Sequence, residues 1–149
     1  LQAVALAYFL NYFVVYLVSL FLSYVMGGAV NPNTQEIMSE TKLNANVMIV
    51  VGVLLAPVVE ETLFRGALFG TLHSKSRFLA YAASALAFAV YHMWQYYLIH
   101  FNWQLLLYLL QYIPPSIALC WCYEKSGSIW APIVLHALVN FISIRVLIG

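Results

Sequence analysis

Residues 47–65 read VMIVVGVLLAPVVEETLFR, an apolar run that meets two adjacent carboxylates, Glu60 and Glu61. Acidic residues number five in 149, and two of the five stand side by side here. On insertion scales a carboxylate near the centre of a spanning helix costs roughly 2.5–3.5 kcal/mol. Two of them in one apolar segment imply partners on other helices or a polar cavity.

The rest of the chain agrees that the segment is membrane-embedded. Hydrophobic residues make up 64% and charged residues 7%, against about 25% charged in an average soluble domain. The expected fold class is all-α: a polytopic bundle of about five transmembrane helices forming a single domain over residues 1–149. A net charge of +1, with six Lys and Arg scattered along the chain, gives no basic patch and excludes a nucleic-acid partner. Cys120 and Cys122 are two apart, so a helix points them to nearly opposite sides; they read as small buried residues rather than a disulfide or metal pair. The first residue is Leu1, and the chain reads as a fragment or trimmed product. Its first apolar run, Val4 to Met26, exceeds the roughly 7–15 residues of a signal-peptide core and reads as a spanning helix.

A bilayer core of about 30 Å takes about 20 apolar residues as helix. Five segments meet that length: 3–26, 46–70, 77–100, 104–123 and 129–148. Helices are required because backbone amides facing lipid must be satisfied within the segment. The long polar loop 27–45 carries a short amphipathic helix over 34–43 as its expected structure. His73, Lys75 and Arg77 mark a positive loop, which places it and the turn at Glu124 and Lys125 on the cytoplasmic side; Arg145 argues weakly the other way. Eleven Tyr and four Trp read mainly as interface belts. Pro114 and Pro115 fall within the fourth segment and predict a kink or a break.

Within this frame a few polar residues stand out. Glu61 and Arg65 are four apart with the acid first, the favoured order for an ion pair on one helix face, and they read as a brace. Glu60 is turned about 100° away and needs a partner on another helix. Candidates are His92 on the third segment and His136 with Asn140, four apart on one face of the fifth. At about 1.5 Å per residue, Glu60 lies roughly 15 Å, His136 roughly 12 Å and His92 roughly 18 Å from the inner side, a band about 6 Å deep. Three helices therefore bring polar groups to a common depth. His73 and His100 sit at helix ends, where a histidine is ordinary, Glu36, Glu40 and Lys42 read as solvated surface, and Asn11 reads as helix–helix glue.

Glu-Glu-x-x-x-Arg at 60–65, Phe-x-x-x-His at 88–92 and His-x-x-x-Asn at 136–140, in this order, resemble the CPBP family. That family comprises CAAX prenyl proteases and bacteriocin-processing or bacteriocin-immunity proteins, also called Abi. The resemblance covers about residues 46–145. It implies an intramembrane endopeptidase acting on a membrane-associated peptide or protein, in which Glu60 and His92 activate a water, His136 and Asn140 form an oxyanion hole, and Glu61 and Arg65 support them. A low-dielectric site beside a second acid suits a general base, and a His and an Asn on one face can donate to an oxyanion. Metal-free chemistry without a cofactor is the expectation. Glu60, His92 and His136 are also acceptable zinc ligands, which keeps zinc as the alternative. The other functional readings are a non-catalytic immunity or scaffold protein of the same family and a transporter or proton relay. The expected location is the membrane, multi-pass, and the plasma membrane in a bacterium.

Overall fold

The computed structural model of the chain describes residues 2–99 and 102–148, and no strand occurs among them. Helix α1 covers Gln2–Val25, α2 Pro32–Leu43, α3 Ala45–His73 and α4 Arg77–Ile99. A 3-10 helix over Trp103–Gln111 leads into α5, Ile113–Ser126, and α6 covers Trp130–Ile148. Each of the five apolar segments is therefore helical; His100, the end of the third, lies outside the described residues. By length and composition three spans can cross a bilayer: Val4–Val25, Ala45–His73 and Trp103–Ser126. Trp130–Val146 is a shorter apolar helix. Tyr81, His92 and Gln95 dilute the apolar character of α4 without shortening it.

The surface and core are arranged as a membrane bundle requires. Phe9, Phe13 and Tyr24 of α1 and Leu54 and Val59 of α3 are exposed, which suits lipid and would be unusual facing water. The central core joins Ala7, Phe64, Phe88, Leu119, Cys122 and Leu135, one or two from each of α1, α3, α4, α5 and α6. On α4 the buried face is Ala80, Ser84, Ala85, Phe88, Ala89 and Met93. Its small residues let α3 and α5 approach closely, as packing between membrane helices demands.

Helix α3 is not uniform. Its turns widen to π geometry over Val50–Leu55 and Thr62–Phe69, on either side of a regular stretch, Ala56–Glu61. Pro57 offers no N–H and its ring would collide with the carbonyl four residues back. A widened turn before it, with the Ala56 N–H donating to Val51 O, removes that conflict. The two carboxylates thus stand at the end of the short regular stretch, between two wide turns.

Pro114 and Pro115 do not kink a continuous helix. They lie in the first turn of α5, where a missing N–H costs nothing, and the chain before them is 3-10. The break falls at Tyr112. At the other end α5 closes on Gly127, whose φ of 64° is the left-handed conformation glycine adopts freely.

The two ends of the bundle are tied by polar clasps. At one end Glu124 accepts from Arg77 Nε at 2.7 Å and Nη2 at 2.8 Å, pairs with His73 Nε2 at 2.8 Å and accepts from Tyr81 Oη at 2.9 Å. This joins the turn after α3 to the end of α5, so both turns lie on one face. At the other end Asn31 caps α2 by accepting from Asn33 N–H at 2.9 Å. Asn31 and Asn33 each donate to Tyr112 Oη, at 3.1 and 3.0 Å. Glu36 stands on the exposed surface, as expected, and there accepts from Tyr96 Oη and from Gln95 Nε2, which clasps α2 to α4. Both cysteines are buried and unlinked.

Candidate active site

The site is built where α3, α4 and α6 face one another. Glu60 and Glu61 are buried on α3, and His136 is buried on α6. Glu61 is held through one of its two oxygens. Its Oε1 accepts from Arg65 Nη1 at 3.1 Å, one turn along α3, and from His136 Nδ1 at 2.7 Å. Arg65 is completely buried. It also donates from Nη2 to Ser116 Oγ at 2.7 Å and to Ser116 O at 3.2 Å, and its guanidinium carbon lies 4.6 Å from the centre of the Phe88 ring. The buried Nε of Arg65 has no hydrogen-bond partner among the described residues, so the charge is held by the two terminal nitrogens alone, paired as a charge in a membrane interior must be.

Glu60 is held differently. Its Oε2 is buried and has no hydrogen-bond partner among the described residues. Two imidazoles aim at it: His92 Nε2 at 3.7 Å and His136 Nε2 at 4.0 Å. Both histidines are oriented from their far side. His92 Nδ1 lies 2.9 Å from Phe88 O; a carbonyl only accepts, so Nδ1 holds the proton and donates it. His136 Nδ1 donates to Glu61 by the same reasoning. The Nε2 atoms are thereby directed at Glu60 Oε2.

The ring of His92 is fixed further by stacking on Tyr112, with centroids 4.7 Å apart and planes at 26°, and by the Phe88 ring at 4.4 Å. Because Asn31 and Asn33 bond Tyr112, the loop before α2 braces one wall of the site. Asn140 is placed one turn after His136 on α6, and its Nδ2 donates to Gly52 O at 2.8 Å. That carbonyl belongs to the first widened stretch of α3. One of the two amide hydrogens is used in this bond and the other is not.

The structure therefore brings Glu60, His92 and His136 to one point, puts Glu61 and Arg65 immediately behind His136, and attaches Asn140 to the α3 backbone. Sequence reasoning missed Ser116, Tyr112 and the Gly52 carbonyl. Ser116 follows Pro115 and looks like ordinary turn chemistry, Tyr112 was one of many tyrosines assigned to belts, and a backbone carbonyl has no signature. Only the proline pair pointed to this part of the chain. The same distances bear on zinc. Ligand atoms around tetrahedral zinc stand roughly 3.3 Å apart when each is about 2.0–2.1 Å from the metal, and the Nε2–Oε2 separations here are wider. Among the described residues no group of three His, Cys, Asp or Glu is arranged to hold a metal ion.

Comparison with known proteins gives a consistent result. A family model described as type II CAAX prenyl endopeptidase Rce1-like matches residues 42–142. That range holds α3 to most of α6 and every residue of the site. The chain is 30% identical over 119 residues to “Putative membrane peptidase YdiL” of Bacillus subtilis (strain 168), covering 78% of this chain and 44% of that protein. It is 31% identical over 87 residues to “UPF0177 protein YxdF” of Lactococcus lactis subsp. lactis (strain IL1403), covering 58% of this chain and 42% of that protein. The chain spans less than half the length of these relatives. No solved structure matches it. The matched helices and their apolar surfaces together establish that this is an integral membrane protein of the type II CAAX prenyl endopeptidase Rce1-like family.

Proposed function

We propose that the chain is an intramembrane endopeptidase, glutamate-dependent and metal-free, that hydrolyses a peptide bond in a membrane-associated peptide or protein. The observation that carries this reading is the buried Glu60 Oε2, without a hydrogen-bond partner and faced by two imidazole nitrogens. A gap of 3.7 Å between Glu60 and His92 exceeds a direct hydrogen bond and suits one water bonded to both at about 2.8 Å. Glu60 takes a proton from that water as its oxygen attacks the carbonyl carbon, and the carbonyl electrons move onto the oxygen. His136 donates to this oxyanion from Nε2 when both its nitrogens carry protons, with Glu61 balancing the charge, and Asn140 donates its unused amide hydrogen. When the C–N bond breaks, the proton held by Glu60 goes to the leaving nitrogen.

The test is cleavage of an identified peptide substrate by purified protein in proteoliposomes. Glu60→Gln and His92→Ala each lose at least about a hundredfold in rate, the lower range for a general base. Undiminished cleavage by either variant sinks the assignment. Phenanthroline leaves the wild-type rate unchanged; a loss reversed by added zinc overturns the metal-free part alone.

A further inference from the structure

Resting on that reading of His136, we infer that Ser116 is a positioning residue: it holds Arg65, and through Arg65 and Glu61 it fixes the orientation of the His136 ring. Nothing in the sequence motifs includes Ser116, which lies on α5, a helix that contributes no group to the reacting point. The connection is continuous and buried. Ser116 Oγ donates to Ser84 O at 3.3 Å, which turns its lone pairs toward Arg65 Nη2 at 2.7 Å. Arg65 Nη1 then reaches Glu61 Oε1 at 3.1 Å. The same oxygen accepts His136 Nδ1–H at 2.7 Å. Ser116, Arg65 and Glu61 are each fully buried, so no water competes for these bonds and each sets the next.

The geometry explains why one hydroxyl matters. Among the described residues Glu61 Oε2 has no hydrogen-bond partner, so both Arg65 and His136 depend on Oε1. If Arg65 swings toward its remaining acceptor, Ser116 O at 3.2 Å, the carboxylate is free to rotate about its last bond. His136 then loses the acceptor that keeps Nδ1 protonated and Nε2 facing Glu60. At metal-bound histidines the loss of an orienting hydrogen-bond partner costs about 10–100-fold in affinity or activity, and a loss of about tenfold is expected here, where Ser116 acts through two intermediates. Ser116 is fully buried and offers no surface to a substrate, so the loss falls on kcat and leaves KM unchanged.

Ser84 supplies the control. Its own hydroxyl donates to Phe64 O at 3.1 Å and accepts from Cys120 Sγ at 3.4 Å. Ser116 uses only the Ser84 carbonyl, which Ser84→Ala preserves. The experiment is nitrogen-15 magnetic resonance of histidine-labelled protein in lipid, with the His136 signals assigned by their absence in His136→Gln. In wild type the His136 Nδ1 proton gives the strongly downfield resonance of a short bond to a carboxylate. Ser116→Ala moves or broadens it, Ser116→Thr retains it, and Ser84→Ala leaves it unchanged. Ser116→Cys, near in size with a weak acceptor, gives the same result as alanine where the alanine variant does not fold. An unchanged His136 resonance in folded Ser116→Ala or Ser116→Cys overturns the inference, and so does an equal change in Ser84→Ala. The resonance is read without any substrate, so its outcome is independent of whether Glu60→Gln abolishes cleavage. A moved resonance with undiminished kcat in Ser116→Ala overturns the link to catalysis.

Discussion

Replacing Arg65 with methionine tests the buried pairing of Glu61 with Arg65. Methionine keeps the length and apolar stem and deletes the charge. Wild-type Arg65 makes three hydrogen bonds, to Glu61 Oε1, Ser116 Oγ and Ser116 O, and packs on Phe88. Removing one partner of a buried pair costs about 3–5 kcal/mol, because the other charge is stranded. Glu61 keeps His136 Nδ1 at 2.7 Å, so the lower end applies. About 3 kcal/mol is expected, two orders of magnitude in the unfolding equilibrium. Glu61→Gln strands the arginine instead and costs a similar amount. The double variant strands neither, and its cost falls well below the sum, to about 1–2 kcal/mol, since apolar replacement of a whole buried pair is often near neutral. The assay is equilibrium unfolding in mixed micelles with rising dodecyl sulfate, followed by far-ultraviolet circular dichroism and analysed as a double-mutant cycle. A double variant whose cost equals the sum of the singles within about 0.5 kcal/mol would refute the ion pair. A single Arg65→Met cost below about 1 kcal/mol would show that the pair does not brace the fold.

Three further outcomes are expected. Pro114→Ala shifts the same unfolding midpoint by less than about 1 kcal/mol, because the first turn of α5 does not need the missing donor. Ala118→Pro, inside that helix, costs about 3 kcal/mol, and comparable losses in both would contradict the assigned start of α5. A Cβ on Gly52 would stand 3.3 Å from Ile144 Cδ1, so Gly52→Ala is more favourable on an Ile144→Val background than alone, by about 0.5–1 kcal/mol; equal effects on both backgrounds would deny this contact between α3 and α6. Glu124→Gln raises amide exchange at residues 74–76 in hydrogen-exchange mass spectrometry while cleavage is retained, and unchanged exchange would mean that the clasp of His73, Arg77 and Tyr81 does not hold the turn.

The parts of this molecule that were legible in its sequence are those where lipid leaves few choices. An apolar run of about 20 residues must be a helix, and all five such runs are. A carboxylate and an arginine four apart on one of them have little option but to pair, and Glu61 and Arg65 do. That Glu60, His92 and His136 share one depth followed from helix rise, and their pairing was implied by the family resemblance. What depth could not supply is rotation about each helix axis. The π-widened turns beside Pro57 shift the phase of α3, and no pattern in residues 50–55 or 62–69 announces them. Rotation decides that His136 bonds Glu61 from one nitrogen while facing Glu60 with the other, and that Asn140 meets a backbone carbonyl.

This division also explains why the adjacent acids are not redundant. Both are buried on consecutive positions of one helix, yet their surroundings differ in kind. Glu61 Oε1 sits between a guanidinium and an imidazole N–H, and each of those donors is anchored elsewhere, Arg65 on α5 and His136 by its own helix. Glu60 Oε2 faces His92 Nε2 at 3.7 Å and His136 Nε2 at 4.0 Å, both beyond a direct hydrogen bond, so no group among the described residues satisfies it. A buried carboxylate left in that state is expensive, and a folded chain would relieve it by a small rotation unless the flanking groups prevented one. His92 is pinned by Phe88 and Tyr112, and His136 by Glu61. Relaxing either restraint should therefore allow Glu60 to be satisfied internally, stabilising the fold while lowering activity. Tyr112→Leu, which removes the ring stacked on His92, is the variant in which that opposition between stability and rate is most directly measured: a higher unfolding midpoint with slower cleavage supports it, and a lower midpoint with an unchanged rate defeats it.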